Sequence, residues 1–296
     1  MLFNMNFAYY LHDEKSQEQF EQTLLWFKSR YNLVSINELR DHIYNGKPLK
    51  NACMLSVDDG WRSTYDVIYP VMKKHNVPFT IFVSPHVMET GMNFWYYTYQ
   101  FCNQDEIKAE LINRGWYSDG AKSFAADMLL KQLPVDEIYD VLNIILAKHP
   151  EIEIPRGFMN IDEVLELHHS GLVEVGAHTV MHPVLANETT ERVTSEVKSS
   201  VERLSNILNK QVESFAYPNG IEDLDFGTRE MDIVKKCGIK CAFSVDPGVI
   251  NAKTNAMAIP RWGSMARLKF GRLGMYLPSR ANQTKIREEI KKRKLR

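Results

Sequence analysis

Cysteine is scarce in this chain. There are four in 296 residues, Cys53, Cys102, Cys237 and Cys241, and no CxxC pair. That excludes a disulfide framework and fits a reducing compartment. Cys53 lies inside an apolar run and reads as an inert core residue. Cys237 and Cys241 lack a second pair, so packing is expected of them rather than metal binding. No run of 18 apolar residues exists, so no segment is expected to span a bilayer. Residues 1–12 lack a basic region followed by a long apolar stretch, and the expected location is cytoplasmic. Net charge is only −1, which gives no field suited to a polyanion, and nucleic acid is not an expected partner. Residues 285–296 are the local exception, rich in Lys and Arg. A solvated, frayed helix is the plain reading, and peripheral contact with an anionic membrane face is the alternative. Internal repeats and low-complexity segments are absent.

What is present is apolar patterning of two periods. Hydrophobic residues make up 44% of the chain, ample for a core. Short apolar runs at 3–11, 33–36, 52–57, 79–83, 172–177, 212–217, 241–245 and 256–259 read as strands. Helical spacing appears at 15–31, 37–44, 62–75, 161–169, 188–208 and 228–236. Strands alternating with helices predict an α/β fold on a parallel sheet. Residues 88–160 break the alternation. An aromatic cluster (Phe94, Trp95, Tyr96, Tyr97, Tyr99, Phe101) precedes helical patterns near 105–113, 121–132 and 135–148. This reads as a helical insert between two strands. Its aromatics are expected to form its own core, with a sugar-stacking wall as the alternative.

Residues able to do chemistry fall at predicted strand ends. The run 52–57 stops at Asp58-Asp59-Gly60. Adjacent carboxylates repel each other and disfavour a strand, and Gly60 permits a tight turn. Catalytic groups of parallel α/β folds lie at the carboxyl ends of strands; the plainer reading is that Asp59 caps the next helix. The run 172–177 stops at His178-Thr179-Val180-Met181-His182-Pro183. A spacing of four predicts both imidazoles on one side of a helical turn, a metal-ligand spacing. One carboxylate and two imidazoles make a three-ligand site of the hydrolytic zinc type, with positions open for water and substrate. His12, the 217–220 segment and Arg261 also fall at predicted strand ends, so a barrel would bring all five features to one face.

Val57-Asp58-Asp59-Gly60, His178-Thr179-x-x-His182-Pro183 and Phe215-Ala216-Tyr217-Pro218-Asn219-Gly220 resemble, in that order, the first three motifs of the polysaccharide deacetylase family (NodB-like, carbohydrate esterase family 4). Residues 76–83 and Ile259-Pro260-Arg261 add to the resemblance, which spans roughly residues 5–265 apart from the insert. Tyr10-Leu11-His12 is similar to the start of the poly-N-acetylglucosamine deacetylase branch. The resemblance implies a distorted (β/α)7-type barrel over residues 1–280, with the insert at about 88–160 and a basic tail at 281–296. It implies a divalent metal, zinc first with cobalt or nickel as alternatives, held by Asp59, His178 and His182. It implies Asp58 as the general base.

Many family members take the acid for the leaving amine from a C-terminal histidine, but no histidine follows His182 here. By resemblance to that branch His12 supplies the proton; a simple helix-entry residue is the plainer reading. Ala216 stands where many relatives have an Arg that orients the base. Arg261 is expected to replace it by pairing with Asp58, the alternative being an ordinary exposed salt bridge. A backbone N–H of the 217–220 turn is expected to complete an oxyanion hole. Asn219 stands where a Tyr is frequent. Tyr217, Asn219, Trp61 and Trp262 are the candidate substrate-binding residues, with simple packing as the alternative for the two tryptophans.

The expected function is metal-dependent hydrolysis of a carbon–nitrogen bond, removing an N-acetyl or other small N-acyl group from an amino sugar in cell-surface glycan assembly. A nucleotide-linked or lipid-linked sugar is the expected substrate, and the basic tail would suit a lipid-linked one. The alternatives are a hydrolase or deformylase of another small amide, and a catalytically silent glycan-binding barrel.

Overall fold

The run from Ala52 to Val57 has no polar face, and such a strand needs cover on both sides. In the computed structural model, which describes residues 6–11 and 16–263, all six of its residues are buried. In chain order the elements are β1 (Phe7–Leu11), α1 (Gln17–Lys28), β2 (Asn32–Val34), α2 (Ile36–Asn45), β3 (Ala52–Val57), α3 (Tyr69–Lys74), β4 (Phe79–Val83) and α4 (Pro85–Thr90). Four helices follow: α5 (Trp95–Thr98), α6 (Gln104–Asn113), α7 (Ala126–Leu130) and α8 (Val135–Lys148). The chain returns through α9 (Ile161–His169), β5 (Val173–Ala177), α10 (Thr190–Leu208), β6 (Ser214–Ala216), α11 (Thr228–Lys236), β7 (Cys241–Phe243) and β8 (Arg261–Gly263). Two compact units emerge, one of residues 6–92 and 158–263, the other of residues 93–157.

The first unit is a parallel sheet in the order β7-β6-β5-β4-β3-β1-β8, with β2 alongside β3. β2 pairs with the first half of β3 and β4 with the second half. The ends of the order nearly meet. Phe243 of β7 bridges Ile259, and Ser244 N–H donates to Ile259 O at 2.9 Å. The sheet is thus nearly closed into a barrel with helices around it, consistent with a distorted (β/α)7 barrel.

Alternation along the strands sorts residues between two cores. Leu55, Val57, Ile81, Val83, Val175 and Phe215 face the helices and pack with Phe20, Leu24 and Phe27 of α1 and Val193, Val197 and Val201 of α10. Ala8, Met54, Phe82, Ala216 and Phe243 fill the interior. Ser56 and Thr80 are buried too. Gly176 is needed where it stands, because a Cβ there would lie 2.5 Å from Ser214 Oγ and 2.6 Å from the Phe82 ring.

Among the differences from the sequence expectation are two elements of the first unit. The stretch 62–75 is not one regular helix. Thr64–Ile68 is a π-helical turn, with α3 following from Tyr69. Pro70 has no N–H to give the Asp66 carbonyl, and Gln17 Nε2 donates to that carbonyl instead at 2.8 Å. The run 256–259 makes a bridge only, and the last described strand is β8, three residues long and paired with β1.

In the second unit Phe94 and Trp95 are fully buried and offer no exposed face. Trp95 meets Tyr96 edge-on at 5.8 Å, and the Tyr97 and Phe101 rings lie 5.4 Å apart. Among the described residues no helix is long and apolar enough to cross a membrane. His12 and the basic tail lie outside the described residues.

Candidate active site

Alternation places Asp58 on the inner face, two residues beyond Ser56. There it meets Arg261, which is fully buried. Arg261 Nη1 and Nη2 donate to Asp58 Oδ1 and Oδ2, both at 2.7 Å. Its Nε donates to Ser244 O at 2.9 Å and its Nη1 also to Ser56 Oγ at 3.1 Å. The guanidinium carbon lies 5.3 to 5.7 Å from the ring centroids of Tyr10, Phe82 and Phe243. A planar fork between aromatic faces, bidentate on a carboxylate, is a geometry that lysine cannot reproduce.

The same alternation would send Asp59 to the opposite face. The backbone redirects it. Asp59 has φ of 70° and Gly60 N–H donates back to Asp58 O at 2.8 Å, a tight γ-type turn of the uncommon positive-φ hand. A second such turn follows β6, where Asn219 has φ of 61° and Gly220 N–H donates to Pro218 O at 2.7 Å. Strain of this kind costs on the order of 1–3 kcal/mol per residue and collects at functional sites.

His178 and His182 come together, but not on a helical turn as the spacing predicts. Residues 178–184 form an irregular loop in which Thr179 has φ of 63° and His182 φ of 56°. The rings meet edge-on, 4.9 Å apart. Both are buried, and His178 Nε2 and His182 Nε2 lie 3.2 and 3.3 Å from Asp59 Oδ1. His178 Nδ1 is 2.7 Å from Ala216 O, and a carbonyl only accepts, so the ring proton sits on Nδ1. In the neutral ring Nε2 is then a bare lone pair aimed at a carboxylate oxygen. Asp59 Oδ1 is itself buried without a hydrogen bond.

Facing lone pairs repel, and a cation between them resolves the conflict. These three residues are the group of metal-ligating type among those described, with their ligand atoms within 4.8 Å of one another. The donor set fits a divalent ion, and the Ala216 carbonyl supplies the outer contact that orients such a histidine. Burial works against charge on Asp59, and its carboxyl stays well below the ordinary carboxylate range only with N–H donors or positive charge at the two imidazole nitrogens. Burial moves His182 downward, toward the neutral form that ligates; at His178 burial acts the same way, but the Asp59 and Asp58 carboxylates outweigh it and raise the imidazole.

The other expected site residues divide. Trp61 Nε1 donates to Asp59 Oδ2 at 3.1 Å, and its indole lies on Phe158, 4.7 Å between centroids. It therefore belongs to the wall that orients the ligand. Tyr217 is buried to 1% exposure, with its hydroxyl on Met257 O at 2.9 Å and its ring stacked on Phe226. Its backbone N–H already serves Phe243 O. Pro218 has no N–H, and Gly220 N–H closes the turn. This leaves Asn219 N–H as the available donor of that segment. Trp262 turns away from Arg261 by strand alternation, packs against the outer core and donates from Nε1 to Gly248 O at 2.6 Å. Ser56 and the Tyr10 ring were not singled out as site residues. A serine in an otherwise apolar run is the signal that marks Ser56. Burial, first, and the nearby Asp58 and Asp59 raise the Tyr10 phenol, so it stays a neutral hydroxyl.

Residues 45–242, two thirds of the chain, match the family model described as polysaccharide deacetylase. The chain belongs to the polysaccharide deacetylase family. Among curated proteins it is 22% identical, over 273 residues, to a poly-beta-1,6-N-acetyl-D-glucosamine N-deacetylase of Staphylococcus aureus strain MRSA252, with 86% of this chain and 72% of that protein covered. Its fold is similar to that of IcaB from Ammonifex degensii (TM-score 0.60, 16% identity, 95% of each chain covered). It is also similar to the deacetylase PplD of Streptococcus pyogenes (TM-score 0.58, 17% identity, 88% of this chain and 92% of that one). Family membership makes this polysaccharide deacetylase barrel a hydrolytic, metal-dependent deacetylase of amino-sugar glycans.

Proposed function

We propose that the chain deacetylates a glycan built of N-acetylated glucosamine units, with zinc as its metal. The curated relatives are named for the β-1,6-linked polymer of that sugar, and that polymer is the first substrate to test. One observation carries the reading: a buried carboxylate oxygen without a hydrogen bond, 3.2 and 3.3 Å from two imidazole nitrogens.

Asp59, His178 and His182 would hold the ion. When bound, it supplies Lewis acidity toward water and the acyl carbonyl. Asp58 accepts the proton of the attacking water at a carboxylate oxygen. Its bond pair to Arg261 fixes the direction of that carboxylate. Asn219 N–H is our candidate donor to the carbonyl oxygen as charge develops there. His12 is our candidate for returning a proton to the leaving amine. The basic residues 285–296 motivate a further part of the proposal: action in the cytoplasm at an anionic membrane face, on a lipid-linked chain.

The test is acetate release from β-1,6-linked N-acetylglucosamine oligomers by zinc-loaded protein, beside cobalt- and nickel-loaded samples. Release by the wild type that disappears in Asp58→Asn supports the assignment. Zinc-loaded wild type that releases no acetate from these oligomers but does so from another N-acylated sugar would overturn the substrate. Retained turnover in Asp58→Asn would overturn the base.

A further inference from the structure

Glu196 sits where an apolar side chain is expected. It lies on the stripe of α10 that carries Val193, Val197 and Val201, and it is only 3% exposed. A carboxylate is kept at such a depth only with partners. Its Oε2 accepts the backbone N–H of Val180 at 2.8 Å and of Met181 at 2.9 Å. Its Oε1 lies 3.3 Å from Arg192 Nη2.

Val180 and Met181 are the middle of the loop whose ends are His178 and His182. The start of that loop is tied to β4, through His178 N–H to Val83 O at 3.1 Å and Ser84 Oγ to His178 O at 2.9 Å. Thr179 Oγ1 closes the loop on itself by accepting His182 N–H at 3.1 Å. Neither contact fixes its middle. Thr179 is β-branched and left-handed, a conformation that persists only when its surroundings impose it.

We propose that Glu196 is a positioning residue for the metal centre. Its carboxylate clamps the middle of the loop, so that the Nε2 atoms of both histidines stand opposite Asp59 Oδ1 before the ion arrives. The proposal rests on the reading of Asp59, His178 and His182 as the metal site. It concerns an α10 carboxylate bonded to the backbone of the loop at Val180 and Met181.

The experiment is zinc titration against a competing chromophoric chelator, on wild type, Glu196→Gln, Glu196→Ala and Arg192→Ala. The thermal midpoint of each metal-free protein is measured alongside. Glu196→Ala is expected to bind zinc about 10–100-fold more weakly. Glu196→Gln keeps a carbonyl acceptor but not the charge, and an intermediate loss of about 3–10-fold is expected, with a metal-free midpoint near wild type. Arg192→Ala leaves both backbone bonds in place and should stay within about twofold of wild type. Wild-type affinity in both Glu196 variants overturns the proposal, even if their midpoints fall, since that is the signature of a stability role alone. Where Glu196→Ala does not fold, Glu196→Gln decides, and unchanged affinity there overturns it. A wild-type chain that binds no zinc fails differently: it removes the metal-site reading itself and this proposal with it.

Discussion

The carboxylate wall of the site and its histidine wall are built by different means. Asp58 stands on the inner face, in line with Ser56 of β3, and Arg261 reaches it from β8, two strands away. Strand pairing and pleat set both directions, and a side-chain fork completes the pair. The histidines hang on a loop with two left-handed non-glycine residues. What holds them is a set of separate hydrogen bonds to Ala216 O, to Ser84 and to Glu196. A wall set by strand pairing resists loss of any one neighbour, because the ladder persists. A wall set by individual bonds can be loosened one bond at a time. Asp59 belongs to both: it is carried by β3 but aimed by a strained turn.

Breaking the shared member should have the largest effect. Asp59→Ala is expected to lose bound metal and to lower acetate release on the order of 10⁴-fold, the size expected when Lewis-acid stabilisation of several kcal/mol is removed. Metal content of the purified variant beside its turnover checks this. Asp58→Asn isolates the carboxylate wall. It should keep metal while kcat falls about 10³-fold, within the range for loss of a general base. Full activity in that variant would show that the wall positions rather than reacts.

Arg261→Met tests how much the barrel depends on the buried pair. Removing one partner strands the other's charge, and stability should fall by about 3–5 kcal/mol in urea unfolding. A loss below about 1 kcal/mol would mean that the three aromatic rings, not the ion pair, organise this end of the barrel. Trp61→Phe gives the smallest expected change. It keeps a ring on Phe158 and deletes the N–H to Asp59 Oδ2. Zinc affinity should weaken about 10-fold, as for loss of an outer-shell contact. No change would show that the turn at Asp59 needs no help from the indole.

The two walls were not equally legible. The strands 52–57 and 79–83 and the helices 161–169 and 228–236 have the bounds that pattern alone assigns. All four are unbroken runs of one period, and α9 is also marked by the Asn160–Glu163 capping box. The loop 178–184 was misread because a spacing of four is met equally by a helical turn and by an irregular loop. Nothing local announces a left-handed threonine. β8 was missed because three residues carry no period, and its partner β1 lies some 250 positions away. The π-helical turn before Pro70 depends on Gln17, from another helix, to satisfy a freed carbonyl. Tyr217 and Trp262 show the same limit. Aromatic residues beside a motif can face the groove or the core, and only a neighbour such as Met257 O or Gly248 O decides which.

The sequence by itself determined the element types, the parallel α/β class and the inventory of groups with hydrolytic chemistry. Those depend on periodicity over a few residues and on side-chain identity. Tertiary structure alone decided which lone pairs face each other. Asp58 and Arg261 are 203 positions apart in the chain, and Ala216 sets the His178 tautomer from 38 positions away. Bonds across such separations depend on strand order, because β5 beside β6 and β1 between β3 and β8 are what bring these strand ends within hydrogen-bonding distance of one another.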